Sequence, residues 1–311
     1  MEPIVTNIRL FQYAKKETTP FRLFIQKVKY DWSLVFSGML AFNILIALLP
    51  MAITLFGILG LVLDNHPDLR NNIKQKIINT FPSETKNGIQ QIMNMAFKKL
   101  HQDAGLIFAF GLLFAIIGSS RLFVAIDRCL TIIYRVEERK FLPKYLLAIA
   151  MLLLFLILIP LMIAASSLPT LLLGIIPNFG GRFVAYIFGL LTSLFLSFIL
   201  FEIIYFIVPN KKMTIKRTWC GSLVAAIALQ LFMIIFPIYV KNFMASYSGQ
   251  IGFAVILLLF LFYSAVILII GAQINAFFFE HIQPLPASIG TFVSTIAHQS
   301  NEREIQQPLN A

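Results

Sequence analysis

Residues 201–213 read FEIIYFIVPNKKM, and two features of that stretch decide what kind of chain this is. A glutamate, Glu202, sits in an otherwise apolar run, and the run stops at Pro209-Asn210-Lys211-Lys212. Proline cannot continue a helix, because it lacks an N–H and its ring meets the carbonyl four residues back. Two lysines just behind it suit a helix that ends where anionic headgroups begin. The stretch reads as the last turns of a membrane-spanning helix, followed by its stop.

The remainder of the 311 residues agrees with that reading. Hydrophobic residues make up 59%, charged residues only 13%, and the mean hydropathy is +0.83. Soluble domains are roughly a quarter charged, so a soluble fold of this chain would have too little polar surface. No charge occurs in residues 34–63 or 145–181, and runs of about 18 or more apolar residues mark transmembrane helices. The fold class that follows is all-α, a polytopic membrane protein with six spans at 34–63, 104–126, 145–176, 183–208, 218–240 and 251–279. Arg121 and Glu202 interrupt the second and fourth, and Pro160 and Pro169 are candidate breaks in the third. The first 33 residues are mixed and charged, so the first span is expected to double as an uncleaved insertion signal.

Orientation follows from lysine and arginine. Segment 1–33 carries six, the segment after span two carries five, and the connection after span four carries Lys211, Lys212, Lys216 and Arg217. The connections at 177–182 and 241–250 carry one each, Arg182 and Lys241. Both termini are therefore expected in the cytoplasm, with the bacterial inner membrane as the location. The long connection 64–103 also holds six basic residues, but mixes them with acids and is expected outside. The formal charge of +11 is then mostly an anchor to the inner leaflet, a nucleic-acid footprint being the competing explanation.

Three parts result: a cytoplasmic segment 1–33, a transmembrane domain 34–279, and a polar, mobile cytoplasmic tail 280–311. In the first, PFRLFIQKVKYDWS (20–33) reads as an interfacial helix with Tyr30 and Trp32 at headgroup level. In the external connection, Ile89, Ile92, Met93, Ala96, Phe97 and Leu100 repeat at helical spacing after Pro82, with Ser83 as a possible cap. Leu69, Ile73, Ile77 and Phe81 form a shorter stripe before it. Two amphipathic helices lying on the outer face are expected, as anchors or as a lid.

The same residues carry a resemblance. IIYFIVPNKKM resembles the tyrosine-to-Pro-Asn-basic segment of the YihY/virulence-factor BrkB family, once labelled ribonuclease BN. GMLAFNILIALLPMAITLFGILG (38–60) is similar to that family's first span, and LFVAIDRCLTIIYRVEER (122–139) to the close of its second. Gly221 and Tyr239 fit its fifth span, and GFAVILLLFLFYSAVILIIGAQINAFF (252–278) its last, which ends in Gly-Ala-acid-x-Asn. Thr131 stands where asparagine is common, and Gln273 where glutamate is usual. The resemblance covers residues 30–280 and implies a six-helix inner-membrane protein for which transport of lipid-like or other solutes is proposed.

A nuclease would need clustered metal ligands or a histidine acid–base pair. His66, His101, His281 and His298 form no such constellation, and no glycine loop suits a phosphate. No enzyme activity, metal or cofactor is expected. Cys129 and Cys220 fall near the cytoplasmic ends of their helices, where a structural disulfide is not expected.

Charges within spans are costly and invite a functional reading. Arg121 lies six residues before Asp127 and Glu202 seven before Pro209, which puts both roughly 9–10 Å inside the cytoplasmic edge. They are expected to pair across spans two and four, near Gln273 and Asn275, with Asn43 somewhat deeper. These five could line a polar cavity open to the cytoplasm, or each could be satisfied locally as packing glue. Pro50 removes a hydrogen bond in mid-span and is a candidate hinge. Two functions follow: a transporter or flippase of a lipid-like or amphiphilic solute, ion-coupled export included, or a non-transporting scaffold of the envelope. Membrane lipids are the expected partners, with a homo-oligomer compatible and no nucleic acid.

Overall fold

The computed structural model describes residues 20–63, 72, 75–76, 78–79, 86–165, 179–243 and 250–306, with most of their side chains. Their regular structure is helical throughout. Helix α1 covers 20–30, α2 Ser33–Leu63, α3 Lys86–Tyr134, α4 Phe141–Ala165, α5 Phe179–Ile207, α6 Ile215–Phe243 and α7 Gln250–Ile274. A π-helical turn, Asn275–Phe279, extends α7, and α8 covers Ile289–Gln306.

Helices α2 to α7 each contain a stretch long and apolar enough to cross a membrane. The reason is general: lipid offers no partner to a free N–H or C=O, so a spanning segment bonds its backbone within itself. Outward sides carry large exposed apolar residues such as Phe42, Leu113, Phe114, Leu153, Phe195 and Ile235, an apolar surface that suits lipid. Between the helices lies one main core, including Leu40, Leu130, Ile133, Met151, Tyr205 and Ile269, all fully buried. Helix α3 packs on α2, α4 and α7, while α7 also touches α2 and α6, and α5 lies along α6.

Two expectations change in detail, at the start of α3 and after residue 280. Helix α3 is a single helix of 49 residues, about 70 Å long against a hydrocarbon layer of about 30 Å. Its first turns are therefore not a separate helix but a continuation of span two. Ile89 and Met93 pack there against Ile78 and Phe253. Helix α2 runs unbroken through Pro50, where the Thr54 hydroxyl donates to the Pro50 carbonyl at 2.8 Å. The polar segment after residue 280 contains an 18-residue helix, α8, whose Gly290 lies against the Trp32 ring. Pro169, Ser83 and the stripe Leu69, Ile73, Ile77 and Phe81 lie outside the described residues.

Candidate functional site

One end of the bundle gathers α1, the α3–α4 and α5–α6 connections and the chain after α7. Among the described residues, every buried charge lies at this basic end. Residues 20–33 and 280–306, which flank the transmembrane domain, therefore sit on the same side.

Helix α1 reaches this end by inserting Phe24 against Phe277 and Phe278 and Lys27 beneath them. Lys27 and Asp31, one helical turn apart, are both 0% exposed. The ammonium has three protons and three acceptors: Asp31 Oδ2 at 2.5 Å, Gln273 Oε1 at 2.8 Å and the Ile133 carbonyl at 3.3 Å. The Gln273 amide donates to Asp31 Oδ2 at 3.2 Å and to Ser33 Oγ at 3.0 Å. Arg135 completes the set by pairing with Asp31 Oδ1. Burial pushes the Lys27 ammonium down from the usual lysine range, Asp31 pulls it back, and Arg135 adds to the push. A glutamate at 273 would have no proton to give Asp31 and would crowd a second carboxylate against it. The glutamine is the residue type this cluster needs.

Arg135 takes the left-handed backbone conformation, φ 52°, that ends α3. Its N–H reaches the Ile132 carbonyl at 3.3 Å and the Val136 N–H reaches Thr131 at 3.1 Å. That is the Schellman pattern, usually built on glycine. Here the arginine is held by Asp31 and by the Ile132 carbonyl, to which its guanidinium donates at 2.8 Å. Trp32, φ 54°, plays the same part at the end of α1.

A second set of polar groups joins α5, α6 and α7. Glu202 accepts from the Thr218 hydroxyl and, at 2.6 Å, from Ser222 Oγ, two residues one turn apart on α6. The Thr218 carbonyl accepts from Asn275 Nδ2 at 3.0 Å, and Asn275 Oδ1 accepts from the Gly221 N–H at 2.7 Å. This last bond takes an amide from inside a helix, which is possible because Gly221 and Gly271 let α6 and α7 meet backbone to backbone. Tyr205 packs under the crossing and donates to the Leu268 carbonyl at 2.7 Å.

The brake in FEIIYFIVPNKKM has its partner in Arg139. The last carbonyls of a helix lack intrahelical donors, and Arg139 serves the final one of α5, Ile207 at 3.2 Å, together with the two that follow it, Val208 at 2.7 Å and Pro209 at 3.0 Å. Its guanidinium also lies 3.4 Å from Asp127, and Asn210 donates to the Glu137 carbonyl at 3.1 Å. The two connections are thus tied to each other.

Beyond α7, Glu280 pairs with Lys211 and, at 3.1 Å, with Arg217. Burial alone would push the Glu280 carboxyl up, but hydrogen bonds from Lys211 and Arg217 outweigh it and hold it below the usual value of 4.5. A carboxyl lowered in the folded state stabilises above its unfolded value and loses that contribution as the pH falls through the folded one. The melting midpoint of the wild type should therefore exceed that of Glu280→Gln near neutrality. The gap should close as the pH is lowered below 4.5, and a gap that ignores pH would remove the carboxylate charge as its cause.

The expected pairing of Arg121 with Glu202 does not form. Arg121 lies on the exposed side of α3, in line with Phe114 and Ile117, whereas Glu202 is half-buried against α6. Distance from the end of a span does not fix the direction a residue faces around its helix. Nor do the five expected residues converge. Gln273 belongs to the Lys27 cluster, Asn275 and Glu202 to the α6 crossing, and Asn43 donates to Met39 on its own helix at 2.8 Å. Of the four expected basic anchors, Lys211 and Arg217 are spent on Glu280, while Lys212 and Lys216 are exposed. Lys27, Asp31, Arg135 and Arg139 are the residues that sequence reasoning missed. The signal for the first two was a Lys-Asp pair one turn apart on a helix with an apolar face.

A family model described as virulence factor BrkB matches residues 24–288. The chain is similar to a UPF0761 membrane protein of Aliivibrio salmonicida, 26% identical over 289 residues and 91% of each chain. It is also similar to one from Histophilus somni, 25% identical over 291 residues, 89% of this chain and 92% of the relative. A third, from Vibrio atlanticus, is 27% identical over 261 residues, 82% and 80% of the two chains. No solved structure matches the chain.

Proposed function

This chain belongs to the virulence factor BrkB family of membrane proteins, and on that premise we propose that it carries an amphiphilic, lipid-like solute across the bacterial inner membrane. Both termini then lie in the cytoplasm, as the lysine and arginine counts favour. The basic end becomes a cytoplasmic gate, closed in this conformation. The observation that supports this reading is the Lys27–Asp31–Gln273–Arg135 cluster, a dehydrated set of charges between α1, α3 and α7. As a static fastener it is a poor choice, since apolar residues of similar volume are often as stabilising or more so. As a gate it is apt, because each of its charged groups can exchange its protein partners for water when the ends part. No enzymatic step enters the reading, and membrane lipids are its partners.

Reconstitution into vesicles with fluorescent phospholipids tests it. The protein should speed exchange of labelled lipid between leaflets, and the double variant Lys27→Met/Asp31→Leu should change that rate by about tenfold or more. Vesicles with protein that scramble and export no faster than empty ones, across anionic and zwitterionic headgroups, would sink the proposal. A scaffold without transport is the second reading. It is favoured by Gln273 and Asn275, whose side chains both bond entirely within the protein and so behave as glue between helices.

A further inference from the structure

Hydroxyls inside these helices mostly find an acceptor in one of two ways. Those of Ser37, Thr54, Ser120, Thr192 and Ser264 each donate to the carbonyl four residues back, the usual fate of a helical serine or threonine, while Ser193, Thr218 and Ser222 donate to Gln230 or Glu202 on a neighbouring helix. Thr131 does neither. Its Oγ1 is buried with no hydrogen-bond partner in the protein, and the same holds for Asp127 Oδ2 four residues before it and the Tyr134 hydroxyl three after. The residues are 1%, 7% and 2% exposed in the order Asp127, Thr131, Tyr134. Spacing of four and three puts all three on one face of α3, over about 10 Å of helix. Buried polar atoms are nearly always paired, with protein or with water, and three exceptions in a row are not scattered defects.

We propose that the Asp127–Thr131–Tyr134 face of α3 is a hydrated seam, a binding site for water and for small neutral hydroxyl-bearing groups. The charge around it selects the ligand. Arg139 lies 3.4 Å from Asp127 Oδ1 and Lys144 3.8 Å from Asp127 Oδ2, so an amine would meet like charge there, while a hydroxyl can donate to the carboxylate. At the other end, the Tyr134 hydroxyl faces the Asn275 side chain, whose oxygen accepts from the Gly221 N–H and whose amide donates to the Thr218 carbonyl, and no hydrogen bond of normal geometry joins tyrosine to asparagine. A further molecule there would complete the bonding of the tyrosine hydroxyl. Asp127 requires a donor, and the two hydroxyls can give or accept; water and a glycerol-like headgroup meet both needs. The purpose of the seam, a route for the polar end of the solute through the cytoplasmic half, rests on the transport reading. Its existence does not.

Thiol chemistry in the full-length protein in nanodiscs reads the seam directly. Thr131→Cys is treated with a small neutral water-soluble thiol reagent, with native Cys129, 0% exposed, as the internal reference two residues away. Modification at position 131 at least about tenfold faster than at Cys129 is expected, because reaction requires an accessible thiolate. Equal rates overturn the seam. Should Thr131→Cys fail to fold, Thr131→Val and Tyr134→Phe decide the matter by their melting midpoints. Deleting an oxygen from a dry site raises the midpoint and overturns the proposal, whereas deleting one that binds water leaves it unchanged or lowers it. Neither readout involves solute movement, so a dry seam leaves the transport reading standing. A failed vesicle assay beside a reactive position 131 leaves the seam.

Discussion

Asp31→Ala should destabilise the protein by about 3–5 kcal/mol, the usual result of removing one partner from a buried ion pair. The carboxylate is fully buried and takes both Lys27 and Arg135. Without it the Lys27 ammonium keeps only the Gln273 oxygen and the Ile133 carbonyl, two neutral acceptors for a full charge. Burial already pushes that ammonium toward its neutral form, with Asp31 as the opposing influence, so the variant loses what keeps the charge affordable. Arg135 loses as well: its left-handed backbone, φ 52°, costs a non-glycine residue about 1–2 kcal/mol, and Asp31 is one of its two anchors. The midpoint of thermal unfolding in detergent, read by size-exclusion of the heated protein, is the measurement. The double variant Lys27→Met/Asp31→Leu should recover much of the loss, since it removes the uncompensated charge. If Asp31→Ala melts with the wild type, the cluster does not hold α1 to the bundle.

Why this cluster escaped the sequence while the spans did not is a matter of what each feature depends on. A span is a property of one segment. Charges end it, and proline followed by lysines marks its edge, so the stop after Ile207 follows from FEIIYFIVPNKKM alone. A site depends on azimuth, the direction a residue faces around its helix. Arg121 and Glu202 share a depth, yet Arg121 continues the exposed line of Phe114 and Ile117, a line that could have been read before any pairing was assigned. The true partners of Glu202 were also visible as Thr218 and Ser222, a polar pair one turn apart near the start of α6. Lys27 and Asp31 looked like ordinary charges on an interfacial helix. Only the docking of Phe24 on the π-helical end of α7 turns them inward, and that contact joins segments some 250 residues apart.

Gly221→Ala should be nearly as damaging as the loss of Asp31, although it adds a single methyl. A Cβ at Gly221 would lie 2.3 Å from the Gly271 carbonyl oxygen and 2.4 Å from Asn275 Oδ1. The first of these is backbone, so no rotamer relieves it and α6 must move away from α7. The second is the acceptor of the Gly221 N–H, so the same movement breaks the bond that anchors Asn275. Overpacking of this kind costs about 1–3 kcal/mol, and leaving the fully buried Asn275 with an unmet oxygen adds about 1–3 kcal/mol more. Gly271→Ala tests the same crossing from the other side, where a Cβ would fall 2.3 Å from the Tyr205 hydroxyl and 2.9 Å from the Gly221 carbonyl. A side-chain tip can yield where a backbone carbonyl cannot, so Gly271→Ala should cost less than Gly221→Ala. By contrast a Cβ at Gly38 meets nothing within 4 Å, and Gly38→Ala should be neutral or slightly stabilising, as expected of alanine in a helix. The order of melting midpoints is therefore Gly38→Ala at or above wild type, then Gly271→Ala, then Gly221→Ala. If Gly221→Ala instead melts alongside Gly38→Ala, α6 and α7 do not meet at the glycines, and the placement of Asn275, Thr218 and Glu202 falls with that contact.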